Sequence, residues 1–169
     1  MKHLTLIRHA KAVDASEGGQ DHERGLRERG RMAAAELGRH LAVAPPALIL
    51  CSTATRTRET VAYAVASWPR LPVIRYLPGL YLASAGGLLR QIEQIEPTFE
   101  TVWLVGHNPG LHELALQLAR HAAGAERFPE LAQRFPTAAR ARFAIDADRW
   151  QDLGQARLTL LEFVVPGAA

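Results

Sequence analysis

Three short apolar runs, each ending beside residues that can hold or attack an anion, constrain this chain most. Leu4-Thr5-Leu6-Ile7 leads into Arg8-His9, Ala47-Leu48-Ile49-Leu50 into Cys51-Ser52 and on to Arg56, and Val102-Trp103-Leu104-Val105-Gly106 into His107. Segments of helical period separate them, so strands and helices alternate. That order favours an α/β domain, here a three-layer sandwich with a mainly parallel central sheet flanked by helices. In an open sheet of this kind ligands bind beyond the carboxyl ends of the strands. Two arginines and two histidines would then meet in one crevice.

The first strand is expected over residues 2–8 and a polar, glycine-containing loop over 14–21. A helix is expected over 26–43, with Met32, Leu37 and Leu41 facing the core. Pro45-Pro46 ends that connection and the second strand runs to Cys51. Ser52 or Thr53 is the expected N-cap of a helix that turns Val61, Ala62 and Val65 inward. Residues 72–77 read as a third strand, 86–95 as a short helix, and the fourth strand ends at Gly106. Asn108-Pro109 reads as an N-cap followed by proline at the first helical position, opening a helix that carries Leu111, Leu114 and Leu118. Residues 122–140 form a less regular connection with a short helix expected over 129–134. Residues 141–145 and 157–165 read as the last two strands. With no repeat, low-complexity tract or linker, residues 1–169 read as one domain.

A hydrophobic fraction of 48% and a charged fraction of 22% are those of a soluble globular protein. Of 20 basic residues 18 are Arg, and the net charge is +3. They are scattered among carboxylates without a block of like charge, so nucleic acid is not an expected partner. The single cysteine, Cys51, excludes an internal disulfide and reads as a small buried hydrophobe. No apolar run is long enough to span a membrane, and the first strand follows the amino terminus at once. The expectation is a cytoplasmic monomer with no membrane partner.

The chemistry starts at His9. A neutral imidazole is a good nucleophile near pH 7 and forms covalent intermediates. Arg8 beside it offers a planar fork that binds oxygens in pairs. Arg56 falls at the start of a helix, where the dipole favours an anion; in isolation it would read as an exposed residue paired with Glu59. His107 lies in Gly106-His107-Asn108-Pro109-Gly110, where glycines permit close backbone approach. Cationic, it adds charge to an anion clamp; neutral, it still donates one hydrogen bond. In isolation it would read as a helix-capping histidine. Phosphoryl transfer asks mainly for positioning and charge neutralisation, which this set supplies. Neither a metal nor a cofactor is expected: carboxylates do not cluster as Mg²⁺ requires, and His107 and His112 are five residues apart rather than on one helix face.

These segments resemble the histidine phosphatase superfamily, the phosphoglycerate mutase-like proteins, and among them the short SixA-type phosphohistidine phosphatases. Leu6-Ile7-Arg8-His9-Ala10-Lys11 is similar to the signature segment. Asp21-His22-Glu23-Arg24-Gly25-Leu26 with Arg29-Gly30, Ser52-Thr53-Ala54-Thr55-Arg56 with Thr60, and Val105-Gly106-His107-Asn108-Pro109 follow in family order. Phe135-Pro136-Thr137-Ala138, Trp150 and the final strand to Pro166 resemble the SixA-like group in particular. The resemblance implies that His9 is the nucleophile, that Arg8, Arg56 and His107 bind the phosphoryl oxygens, and that Arg24 lies near them in the phosphate-binding pocket. It implies no metal.

Two departures bear on the substrate. Ala10 stands where the broad superfamily has glycine, a mark of the SixA-like group. Gly79 stands where many of the phosphatases and mutases carry a carboxylate that protonates a leaving alkoxide; here Asp21 and Glu23 are the remaining acids. Loss of a general acid costs on the order of a hundredfold for an alkoxide, and far less for an imidazole leaving from a phosphoramidate. The expected substrate is therefore phosphohistidine in a signalling protein, at an uncapped, shallow site. The alternatives are a small phosphorylated substrate, a sugar phosphate or nucleotide, and a phosphate-binding module without turnover.

Overall fold

Successive strand residues point to opposite faces of a sheet, and the apolar runs here supply both faces. Leu4, Leu6, Leu48, Leu50, Val102 and Leu104 pack in one core, while Ile7, Ile49, Cys51, Trp103 and Val105 pack in a second. The computed structural model describes residues 1–167. Its sheet has seven strands: β1 (Lys2–Arg8), β2 (Leu48–Ser52), β3 (Val73–Leu77), β4 (Thr101–Gly106), β5 (Ala122–Ala123), β6 (Arg140–Asp146) and β7 (Arg157–Val164). Their order is β3-β2-β4-β1-β6-β7-β5. Pairings β2–β3, β2–β4, β1–β4 and β5–β7 are parallel; β1–β6 and β6–β7 are antiparallel. The sheet is thus mainly parallel, as the alternating pattern requires.

The helices are α1 (Ala15–Gly18), α2 (Glu28–Leu41), α3 (Thr55–Val65), α4 (Ala85–Glu93) and α5 (Gly110–Ala119). Leu37 and Leu41 of α2 and Val61, Ala64 and Val65 of α3 cover one face. Leu88 and Ile92 of α4 and Leu111, Leu114 and Leu118 of α5 cover the other. The connection leaving β1 therefore turns to one face and the one leaving neighbouring β4 turns to the opposite face. A crevice opens between them at the carboxyl edge, which is where open α/β sheets bind ligands. None of the described helices is long and apolar enough to cross a membrane.

Several local expectations are corrected. Met32 is 66% exposed. The buried stripe of α2 is Gly30, Ala34, Leu37, Gly38 and Leu41, and residue 32 lies on the other side of that helix. Ala62 is likewise exposed beside the stripe of Val61, Ala64 and Val65. Neither Ser52 nor Thr53 caps α3, which starts two residues later with Ala54 at the cap and no side-chain bond. Nor does Asn108 cap α5: Pro109 holds the cap position and the helix begins at Gly110. In each case the polar side chain is engaged elsewhere. Ser52 pairs with His107, Thr53 with His22, and Asn108 donates to the Phe135 carbonyl at 2.8 Å. The short helix expected over 129–134 is a 3-10 turn, Pro129–Ala132. Another 3-10 turn, Trp150–Gln155, seats the fully buried Trp150 in the first core, where its indole donates to the Phe99 carbonyl at 2.7 Å.

Candidate active site

Register brings the strand ends together. Arg8 pairs with Gly106 across β1 and β4, and Cys51 with Val105 across β2 and β4. Residues that follow these ends share one edge. Arg8, His9, Arg24, Arg56 and His107, the five residues singled out from the sequence, all line a single cleft of about 310 Å³.

His9 is buried, and its Nδ1–H donates to the Ala10 carbonyl at 2.8 Å. That bond places the lone pair on Nε2. Burial, reinforced by Arg56, Arg8 and Arg24 and opposed by the Ala10 carbonyl, pushes the imidazole down to about 4. The ring is therefore neutral and nucleophilic at pH 7. Its backbone is fixed on two sides. The His9 N–H donates to the Gly106 carbonyl at 3.2 Å, and the Ala10 N–H donates to the Thr60 hydroxyl at 2.9 Å. Thr60 in turn donates to the Arg56 carbonyl at 2.7 Å, so one hydroxyl ties the end of β1 to the start of α3.

His107 lies 5.3 Å from His9 between ring centroids. Its Nε2 is 2.7 Å from the Ser52 hydroxyl. With that hydroxyl donating, the ring proton sits on Nδ1, a buried nitrogen with no hydrogen-bond partner. Burial first, then His9, Arg56 and Arg8 against Asp21, pushes His107 down to about 3. Of the two roles the sequence allows, the neutral donor is the one this environment favours. Arg8 donates from Nη1 to the Phe135 carbonyl at 3.2 Å, and Arg56, only 2% exposed, donates to the Asp21 carbonyl at 2.7 Å and to its carboxylate at 3.1 Å. The Nε of each arginine is buried without a partner. Arg56 is thus not the exposed partner of Glu59; that carboxylate accepts from the Leu26 N–H at 2.7 Å. Arg24 reaches the cleft with its guanidinium already occupied, by Asp21 at 2.8 Å and by the Val13 carbonyl at 2.6 Å.

Asp21 is the hub of this arrangement. The Tyr81 hydroxyl donates to its carboxylate, and Arg24 and Arg56 flank it. Tyr81 first, then the two arginines, hold Asp21 far below the usual carboxylate range. It has no proton to give. Glu23 is exposed and does not line the cleft, and neither does Gly79. Asp14 on the rim is engaged by Arg27 at 2.9 Å. Sequence reasoning did not single out Tyr81, which also stacks edge-on against His107 and His22. The only available signal was its place just after the third strand. Cys51 behaves as the small buried hydrophobe expected, its thiol pushed up to about 12 by burial.

Known proteins share much of this sequence and this fold. A profile of the histidine phosphatase superfamily (branch 1) matches residues 4–140. The uncharacterized protein Rv1276c of Mycobacterium tuberculosis is 36% identical over 166 residues, which cover 95% of this chain and 99% of that protein. A Nakamurella multipartitia protein provisionally assigned as phosphohistidine phosphatase SixA superposes with a TM-score of 0.84 at 30% identity, over 99% of this chain and 97% of that one. An Agrobacterium tumefaciens protein with the same provisional assignment gives 0.78 at 30% identity, over 98% of each chain. With the match running from the first strand to the start of β6, this chain belongs to the histidine phosphatase superfamily, branch 1.

Proposed function

We propose that this phosphatase removes phosphate from phosphohistidine in a protein, through a covalent intermediate on His9. One observation carries the reading: three buried nitrogens without partners, Arg8 Nε, Arg56 Nε and His107 Nδ1, belong to side chains lining the cleft that also holds the neutral His9 ring. Buried donors without partners are costly, and a phosphoryl group brings the oxygens that would satisfy them. His9 Nε2 attacks phosphorus and forms a P–N bond as the bond to the leaving group breaks. The equatorial oxygens rest on Arg8, Arg56 and His107. Water then attacks phosphorus, the bond to His9 breaks, and inorganic phosphate leaves with the neutral His9 ring restored.

The state of the carboxylates supports the choice of substrate. Asp14 and Asp21 are the carboxyl residues lining the cleft among the described residues; Asp14 is engaged by Arg27 and Asp21 is held ionised, so neither is poised as an acid. A phosphohistidine protonated on its free ring nitrogen departs as neutral imidazole and needs none. The test sets phosphohistidine peptides against aryl and alkyl phosphates, with trapping of an acid-labile, base-stable phosphoenzyme. Phosphohistidine is expected to react fastest and alkyl esters at least about a hundredfold slower than aryl ones. His9→Ala is expected to abolish trapping and turnover. Equal rates on aryl and alkyl esters would overturn the reading in favour of a small-molecule phosphomonoesterase. Phosphate binding without turnover by the wild type would make the chain a binding module.

A further inference from the structure

Beside the catalytic cleft lies a second cleft of about 300 Å³, lined among others by Lys11, Arg29, Arg134, Pro136, Thr137 and Val165. Lys11 and Thr137 line both, so the second continues the first. Its wall is fixed to the catalytic residues. The Phe135 carbonyl, one residue before Pro136, accepts from Arg8 and Asn108, and the Ala138 N–H donates to the His9 carbonyl at 3.0 Å.

The charge on this shelf is one-sided. None of the described residues that line it is a carboxylate. Arg134 is engaged by Glu130 at 2.7 Å. Lys11 and Arg29 take part in no ion pair among the described residues. A small phosphate ester held by Arg8, Arg56 and His107 carries no flanking residues to place there. A phosphorylated side chain on a protein does, because its neighbours must leave the cleft over the rim.

We infer that this shelf is a specificity subsite that binds acidic residues flanking the phosphohistidine, with Arg29 as its outer cation. The inference rests on the protein-phosphohistidine reading above. Rim charges act mainly through encounter and ground-state binding, and they weaken with salt. Arg29 is exposed and outside the catalytic cleft, so its replacement should leave the chemistry intact.

The experiment compares three substrates: a phosphohistidine peptide with Asp and Glu flanks, the same peptide with Asn and Gln flanks, and an aryl phosphate. Each is measured with wild type, Arg29→Glu and Arg29→Lys. The wild type is expected to prefer the acidic peptide through KM, and to lose the preference at high salt. Arg29→Glu should lower kcat/KM for the acidic peptide by about fivefold or more, leaving kcat and aryl phosphate turnover unchanged. Arg29→Lys should restore most of the loss. If the wild type cleaves both peptides with equal kcat/KM, or if Arg29→Glu slows all three substrates alike, the subsite is overturned while the substrate reading stands. If the wild type cleaves the aryl phosphate and neither peptide, the substrate reading falls, and the subsite with it.

Discussion

At the scale of single residues, burial decides protonation. The proposed role of His9 as nucleophile needs a free lone pair, and burial keeps the ring neutral down to about pH 4 rather than 6.5. NMR titration of the free protein should therefore find the His9 imidazole unprotonated at pH 5; a midpoint between 6 and 7 would mean that the ring is solvated. Asp21 poses the converse case, a carboxylate whose charge Tyr81, Arg24 and Arg56 all stabilise. Asp21→Asn is thus expected to change turnover of aryl and alkyl phosphates by the same factor. An acid would instead show as a selective loss on the alkyl ester, on the order of 10²–10⁴-fold. Arg56→Lys should lose roughly a hundredfold in kcat/KM, because a point charge cannot reproduce the donors of a guanidinium. Single-turnover rates on one aryl phosphate would measure this.

At the scale of elements, the same residue type has opposite effects in different helices. Gly38 lies where α2 meets α3, and a Cβ there would fall 1.7 Å from the Ala64 carbonyl oxygen. The Gly38 carbonyl also accepts from the Trp68 indole at 2.9 Å, so the contact cannot open without cost. Gly86 in α4 faces only the flexible end of Arg90, at 3.5 Å. Alanine relieves helical glycine of its entropy cost, about 0.5–1 kcal/mol, whereas overpacking costs typically about 1–3 kcal/mol. Urea denaturation should thus show Gly86→Ala neutral or more stable than wild type and Gly38→Ala less stable. The helices themselves are legible from periodicity. Their starts are less so, since Ser52, Thr53 and Asn108 carry good capping chemistry but spend it on His107, His22 and the Phe135 carbonyl. Capping preference counts only the local backbone, and distant partners compete for the same side chain.

At the scale of the whole molecule, the site makes the fold sensitive to acid. Unfolded histidines titrate near 6.5, while folded His9 and His107 titrate at about 4 and about 3. As pH falls from 6.5 towards 4 the unfolded chain takes up protons that the folded one refuses, so stability is full above 6.5 and is lost towards 4. The loss between pH 7 and 5 is expected to be on the order of 1–2 kcal/mol per histidine. Comparing urea midpoints at the two pH values would reveal it, and His9→Asn should reduce it. An unchanged midpoint in the wild type would contradict the burial of these rings as neutral groups.

The sequence by itself determined the alternation of strands and helices, the edge of the sheet at which chemistry collects, and His9, Arg8, Arg56 and His107 as the residues to place there. Each depends on short-range order: an apolar run with a fixed period, followed within a few residues by polar groups at a strand end or a helix start. Only the tertiary structure decided that Arg56 and Tyr81 both close on Asp21, that the His9 and His107 rings are buried, and that Gly79 stands outside the cleft. Those properties arise where β1, α3 and the segment around residue 81 meet. They come from desolvation and from hydrogen bonds between residues 35 and 60 positions apart, which no local pattern encodes.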